Sequence, residues 1–296
     1  MTSPLDVFTA SKAIDVTSFV GAFPWRLQAA IDSTALRRQM DRFGVSAVCL
    51  SHLASVFGYD TRSGNEALLD IAAAEPRCWF TPVINPTEPG WQAELAWVVR
   101  HGARAVRIVP GYHGYSLAHG GVADLVAAAA ELGLAIHMSA TLEDPRERHP
   151  RYLVEECRPT QIADFLRTAG NVPVVISGLR TYDWDDVRSC LDRGHDLSTT
   201  LLDLWRMSGP VGALRRMCDD GWSGLLAYGT CQPVQEAVAS AYQLGAASLS
   251  DDERSALAAR NARRVLSDRT GVGGATPDNS RPGSGPAAEP RRSDSA

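Results

Sequence analysis

Lysine is almost missing from this chain: Lys12 is the only one among 29 basic residues, the rest being arginine. A metal-bridging carboxylated lysine is therefore excluded everywhere else, and with it the binuclear metal centres that depend on one. No two cysteines stand in Cys-x-x-Cys spacing. The six of them, Cys49, Cys78, Cys157, Cys190, Cys218 and Cys231, fall mostly inside apolar segments, as small core residues do. That usage points to a reduced, cytoplasmic setting. No run approaches the ~18 apolar residues of a membrane span, and Met1-Thr2-Ser3-Pro4-Leu5-Asp6 lacks a basic start, so a soluble chain is expected. Positive charge is not in excess either: the formal net charge is −5, with no basic patch, which gives no electrostatic reason to expect nucleic acid or an anionic membrane as partner.

What is present is a large apolar content, 45% of 296 residues, enough to fill a sizeable core. Short β-branched runs alternate with longer helical patterns. The runs are one ending at Val16, then Val45–Leu50, Trp79–Ile84, Ala105–Val109, Leu134–Met138, Val172–Ser177, Leu197–Leu201 and Leu225–Tyr228. Eight strands with helices between them is the count of an α/β (β/α)8 barrel, although a doubly wound open sheet would show the same alternation. Helix signals agree. Ser33 stands ready to cap the run that stops at Gly44, Pro89 sits early in the run that stops at Gly102, and Ser250-Asp251-Asp252-Glu253 has the form of a capping box. From Thr270 the composition turns to Gly, Pro, Ser, Ala and charge without apolar periodicity. The expected organisation is a single barrel over 1–269 and a disordered tail over 270–296.

Several segments resemble motifs of the second amidohydrolase family of metal-dependent barrels. Ile14-Asp15-Val16-Thr17-Ser18-Phe19 stands where that family has Asp-x-His-x-His, and Gly229-Thr230-Cys231-Gln232-Pro233 resembles its Gly-Thr-Asp-x-Pro. Gly102–Ile108 is similar to its fourth strand, Leu134-Ala135-Ile136-His137 to its fifth, and Asn261–Leu266 to its closing helix. Phe23-Pro24-Trp25-Arg26, Gly64-Asn65-Glu66 and Gly114-Tyr115-Ser116-Leu117 resemble segments of a branch whose metal ligands have been lost. The resemblance implies a TIM barrel in which Thr17 and Phe19 replace the two first-strand histidines, Gly178 replaces the sixth-strand histidine and Cys231 the eighth-strand aspartate. Only His137 keeps its ligand identity. Two donors cannot complete a coordination sphere, and Arg107, where many relatives have a lysine, would repel a divalent cation, so neither metal nor other cofactor is expected.

Active sites of such barrels lie at the C-terminal ends of the strands. There, His137 and Cys231 could form a thiolate–imidazolium pair, or Cys231 could be a small neutral filler of an abandoned position. His52 could serve as acid or base, or simply hold a loop. Arg107 and Arg180 facing one pocket would call for an anionic ligand, unless Asp183, Asp185 or Asp186 neutralises Arg180. Tyr112, His113 and Thr17 complete the candidate binding set. Two functions follow. One is a metal-independent hydrolase or lyase acting on a small carboxylate-bearing molecule in the barrel mouth. The other is a catalytically silent relative serving as a binding or partner subunit, in a homo-oligomer or beside a related barrel.

Overall fold

A computed structural model describes residues 2–25, 31–150, 152–207, 209 and 212–266. Among them, eight parallel strands follow one another around a barrel: β1 Ile14–Val20, β2 Ala47–His52, β3 Cys78–Phe80, β4 Ala105–Ile108, β5 Ala135–Ser139, β6 Val174–Ser177, β7 Thr200–Asp203 and β8 Leu226–Ala227. Each falls on or beside an expected apolar run, with two displacements that matter. The first strand continues past Val16 to Val20, so Thr17 and Phe19 are strand residues. The seventh starts three residues later than Leu197 and ends on Asp203.

Strands β1 to β3 form one hydrogen-bonded sheet and β4 to β8 another. Backbone bonds close them into a ring. At one joint Val16 N donates to Tyr228 O (3.0 Å) and Phe19 N to Gln232 O (2.7 Å); at the other Arg107 N donates to Pro82 O (2.7 Å) and Ile84 N to Arg107 O (2.9 Å). Sequential order with closure excludes the doubly wound alternative. The joint between β3 and β4 is made only by the segment beyond β3, so the lower part of that seam carries no ladder among the described residues.

The helices between the strands begin and end where local chemistry directs. Helix Ser33–Phe43 is capped by Asp32, whose carboxylate accepts from Ala35 N at 2.7 Å, rather than by the expected Ser33; Gly44, at φ 64°, ends it. Ser250 and Glu253 make the expected reciprocal box. The closing helix Asn261–Leu266 is tied on by Asn261, whose amide donates to Ser223 O (2.7 Å) and Leu226 O (2.8 Å). No helix among the described residues is long and apolar enough to cross a membrane. The expected tail beyond Thr270, and Arg26 of the Phe23–Arg26 segment, lie outside the described residues.

Gly64-Asn65 is a structural latch. Asn65 is fully buried on helix Arg62–Ala74; its amide NH2 donates to Val83 O (2.8 Å) and Glu94 Oε1 (2.9 Å), and its oxygen accepts from Val83 N (2.9 Å) and Ser55 Oγ (3.2 Å). It thus satisfies both backbone groups of Val83, which point away from the bridge to Arg107. A Cβ on Gly64 would come within 2.2 Å of Ser55 Oγ, so only glycine lets the helix approach. Asn65→Ala should cost roughly 2–4 kcal/mol, because it strands several buried polar atoms at once. Urea denaturation would read this as a lower midpoint at unchanged slope.

Candidate functional site

Two apolar layers close the barrel interior. Below, Ile14, Val16, Ala47, Val175, Leu201 and Ala227 pack with Ala259, Ala262 and Val265 of the closing segment. Above, at the C-terminal end, Phe19, Phe23, Leu53, Val56, Val83, Val109, Tyr112, Leu142, Cys231 and Val234 form a second cluster, with Phe57, Tyr152, Val154 and Trp205 packed against it. The sealed mouth differs from the open cleft expected at this end.

Between the layers lie polar side chains with essentially no exposure: Thr17, Ser51, Arg107, His137, Ser139, Ser177 and Asp203. Arg107 is their centre. Its Nε donates to Ser51 Oγ (2.8 Å), one terminal nitrogen donates to Ser139 Oγ (3.0 Å), and its guanidinium carbon sits 4.8 Å from the Phe19 ring centroid. The other terminal nitrogen, Nη2, has no hydrogen-bond partner. Burial pushes the guanidinium's pKa down, opposed by Cys49, Cys231, Asp203 and Asp15 around it. A guanidinium nevertheless stays charged in proteins, so a full positive charge is held here by hydroxyls and an aromatic face.

His137, on the neighbouring strand, contacts the Val16 carbonyl through Nδ1 at 3.1 Å, while Nε2 is buried without a partner. A carbonyl only accepts, so Nδ1 carries the proton and Nε2 presents a lone pair. Burial first, then the charge of Arg107, holds the ring's pKa well below its usual value, so it is neutral. Asp203, at the end of β7, accepts from Gly178 N (3.2 Å) through Oδ1, and Oδ2 lacks a partner of normal geometry. Burial raises its carboxyl to about 6, although the Ser177 and Thr17 hydroxyls, the Gly178 amide and Arg107 all pull the other way. The Thr17 hydroxyl completes no hydrogen bond of normal geometry either. Two unpartnered polar atoms, Arg107 Nη2 and His137 Nε2, thus share one buried layer with the loosely paired Thr17 hydroxyl and Asp203 carboxyl, an arrangement that native interiors reserve for a bound water or ligand.

Asp15 plays a different part. Its Oδ1 accepts from Thr17 N (3.0 Å) and Thr230 N (3.1 Å), and its Oδ2 from the Thr230 hydroxyl (2.6 Å), so it clamps β1 to the turn after β8. Burial pushes this carboxyl up to about 7 in spite of those bonds.

The other candidates are dispersed. Cys231 is fully buried in the upper cluster at φ 54°, a conformation L-residues rarely adopt, and its thiol faces the Leu142 carbonyl at 3.5 Å rather than His137. Burial, then Asp203, drives its pKa well above the usual thiol value, with Arg107 opposing. A thiol made harder to ionise and an imidazole made harder to protonate are the reverse of a thiolate–imidazolium pair. His52 accepts from Ala54 N through Nδ1 (3.0 Å) and holds its own loop; burial lowers its pKa. Tyr112 accepts from Leu142 N (2.9 Å) and lies 3.3 Å from Thr141 Oγ1, which binds it into the upper layer. His113 contacts Ser55 O through Nε2 (3.1 Å), and burial lowers its pKa to about 4. Arg180 is outside the interior altogether: it starts helix Thr181–Cys190, forks onto Asp183 at 2.9 Å through both nitrogens, and covers Tyr182.

Sequence reasoning passed over Asp203 as a site residue, and the reason is the strand boundary. With the seventh strand ending at Leu201, this aspartate fell in a loop; the alternation in Thr200-Leu201-Leu202-Asp203 was the available sign that it faces inward.

The donor set does not fit a catalytic metal. Among the described residues no three His, Cys, Asp or Glu side chains come together as a metal would require, and Arg107 stands beside the donors that are present. At Gly178 a side chain is not even admissible: φ is +89°, and a Cβ would meet the Thr141 carbonyl oxygen at 2.3 Å.

No family model matches the chain, and no curated protein matches it. Solved structures do. A 5-carboxyvanillate decarboxylase from Sphingomonas paucimobilis superposes with a TM-score of 0.63 at 15% identity over 86% of this chain and 99% of its own. A dihydroxybenzoic acid decarboxylase from Polaromonas sp., with bound manganese and 2-nitroresorcinol, gives 0.63 at 12% identity over 86% and 97%. An amidohydrolase from Mycobacterium avium subsp. paratuberculosis gives 0.56 at 13% identity over 83% and 79%. The likeness is one of fold: this chain is a (β/α)8 barrel of the kind shared by these decarboxylases and amidohydrolases.

Proposed function

We propose that this barrel acts on a small carboxylate-bearing molecule as a lyase or hydrolase, with Arg107 holding the acid group in the interior and no metal taking part. The observation that carries this is the guanidinium of Arg107, completely buried, with hydroxyls in place of a counter-carboxylate and one nitrogen unpartnered. A buried charge with no acid bonded to it, and only Asp203 and Asp15 acting on it through space, is costly, and a carboxylate is the ligand whose geometry and sign would satisfy it. Beside it, neutral His137 offers a lone pair for accepting a proton. Asp203, with its carboxyl near 6, is poised to deliver one near neutral pH. The carboxylate chemistry named for two of the fold neighbours supports the substrate class.

The test is calorimetric titration of the full chain with small carboxylic acids, followed by assay for release of CO2 or of hydrolysis products. Uptake that disappears when the acid is replaced by its amide supports the reading, whereas equal uptake of acid and amide would mean that Arg107 does not hold the acid group. Protein purified without chelators should carry no stoichiometric Zn, Mn or Fe by elemental analysis, and one tightly held metal per chain would overturn the metal-free mechanism.

A non-catalytic subunit is the second reading, favoured by the apolar upper layer that shuts the mouth. It would be supported by a barrel that takes up no acid and is isolated in a stable complex with another barrel.

A further inference from the structure

The interior has a second approach. Below the short joint at Pro82–Ile84 and Arg107, the seam between β3 and β4 opens into a crevice of about 380 Å³. Trp79, Phe80, Thr81 and Ala105 flank it on the barrel wall, Leu69 and Ala72 of the helix Arg62–Ala74 cover it, exposed His101 and Arg104 also line it, and it extends inward as far as Cys49 and the buried His137. The volume suits one small organic molecule. This route bypasses the apolar mouth.

The chemistry of the inner end is restrictive. The Val16 carbonyl fixes the proton of His137 on Nδ1, so the free Nε2 can only accept a hydrogen bond. An anion brought against that lone pair would be repelled, and a cation would meet the nearby charge of Arg107. The two thiols on the wall are held protonated, since burial pushes both Cys49 and Cys78 up to about 12. The rest of the lining is mainly aromatic and aliphatic, and its polar members besides Thr81, namely His101 and Arg104, are exposed side chains on the solvent side rather than at the inner end.

We infer that the β3–β4 seam is a binding site for a small, flat, uncharged molecule with an apolar body and one O–H or N–H group, which donates to His137 Nε2. A phenol has this form. The site does not depend on the carboxylate reading, because its ligand is neutral and its occupancy requires no turnover.

Phenol itself is the probe. Titrated into the full chain at pH 7, it should bind saturably at one site, and toluene, which lacks the donor, should bind roughly tenfold more weakly. Ala72→Trp, which fills the crevice from its helical rim, should weaken phenol at least about tenfold with unchanged circular dichroism. Crystals soaked in 4-bromophenol provide a check independent of any variant, with the anomalous bromine signal expected in the seam between Trp79 and His137. Absence of saturable phenol binding, equal binding of phenol and toluene, or a bromine signal confined elsewhere would each overturn the assignment.

Discussion

Arg107→Met should yield a barrel that melts at a higher temperature than wild type and no longer takes up small carboxylates. Methionine has a similar length and no charge to desolvate. Replacing a poorly compensated buried ion by a well-packed apolar side chain is often stabilising, by about 1–4 kcal/mol. Ser51 is not stranded by the change, because its hydroxyl still donates to the Thr81 carbonyl at 2.6 Å. Phe19, stacked on the guanidinium, gains an apolar neighbour. Loss of a buried charge-assisted contact would meanwhile cost a carboxylate about 2–5 kcal/mol, or at least about thirtyfold in affinity. Calorimetry and titration on the same preparation check both. A variant that is markedly less stable and binds acids as before would show that Arg107 serves only the architecture.

The second large effect is in the pH dependence of stability. Asp15 titrates near 7 in the fold against an ordinary 3.8, so the folded chain binds this proton more tightly than the unfolded one. Stability is therefore gained as pH falls through 7 and is lost above it. Asp203, near 6, acts with the same sign. His52, His113 and His137 act oppositely, since burial lowers the pKa of all three and unfolding lets them protonate below about 6.5. The carboxyl effect is thus cleanest between about pH 6.5 and 8, where the three histidines contribute little.

Asp15→Asn isolates it. The asparagine oxygen can accept from Thr17 N and Thr230 N, and its amide can donate to the Thr230 hydroxyl, so the clamp survives without charge. At pH 8 the variant should be more stable than wild type by roughly 1–4 kcal/mol, the upper figure being the full three-unit shift. The advantage should shrink steadily toward pH 5. Denaturation midpoints at several pH values decide it, and a variant less stable at pH 8 would mean that the carboxylate's hydrogen bonds outweigh its burial.

The barrel was readable in the chain because the strands fall on or beside short apolar runs that alternate with helix signals. Its closure was not, since an open sheet shows the same alternation and only the family resemblance favoured the barrel. The site was readable only in part. His137 and Arg107 stand out as polar residues inside apolar strands, and both lie in the buried layer. Cys231 and Arg180 were drawn to the site by position and residue type, yet one is turned into an apolar cluster and the other is neutralised by a neighbour three residues away. Side-chain direction after a strand ends depends on the local turn, which no periodicity encodes. Asp203 was missed through a two-residue displacement of its strand, and in a pattern of period two the boundary decides what counts as a strand end. The closure of the mouth was likewise hidden, since Phe23, Leu53, Val56, Leu142 and Val234 come from the segments after four different strands, which meet only in the folded chain.

Gly178 sets a limit on what this barrel can be made to carry. Its backbone lies against the Thr141 carbonyl so closely that a Cβ would intrude to 2.3 Å, and its φ of +89° is one that histidine rarely adopts. Before any side chain can be placed at 178, the Thr141 segment must withdraw and the backbone must turn. A metal ligand therefore cannot be installed at the end of the sixth strand by substitution alone, and engineering one here means rebuilding the loop after the fifth strand as well.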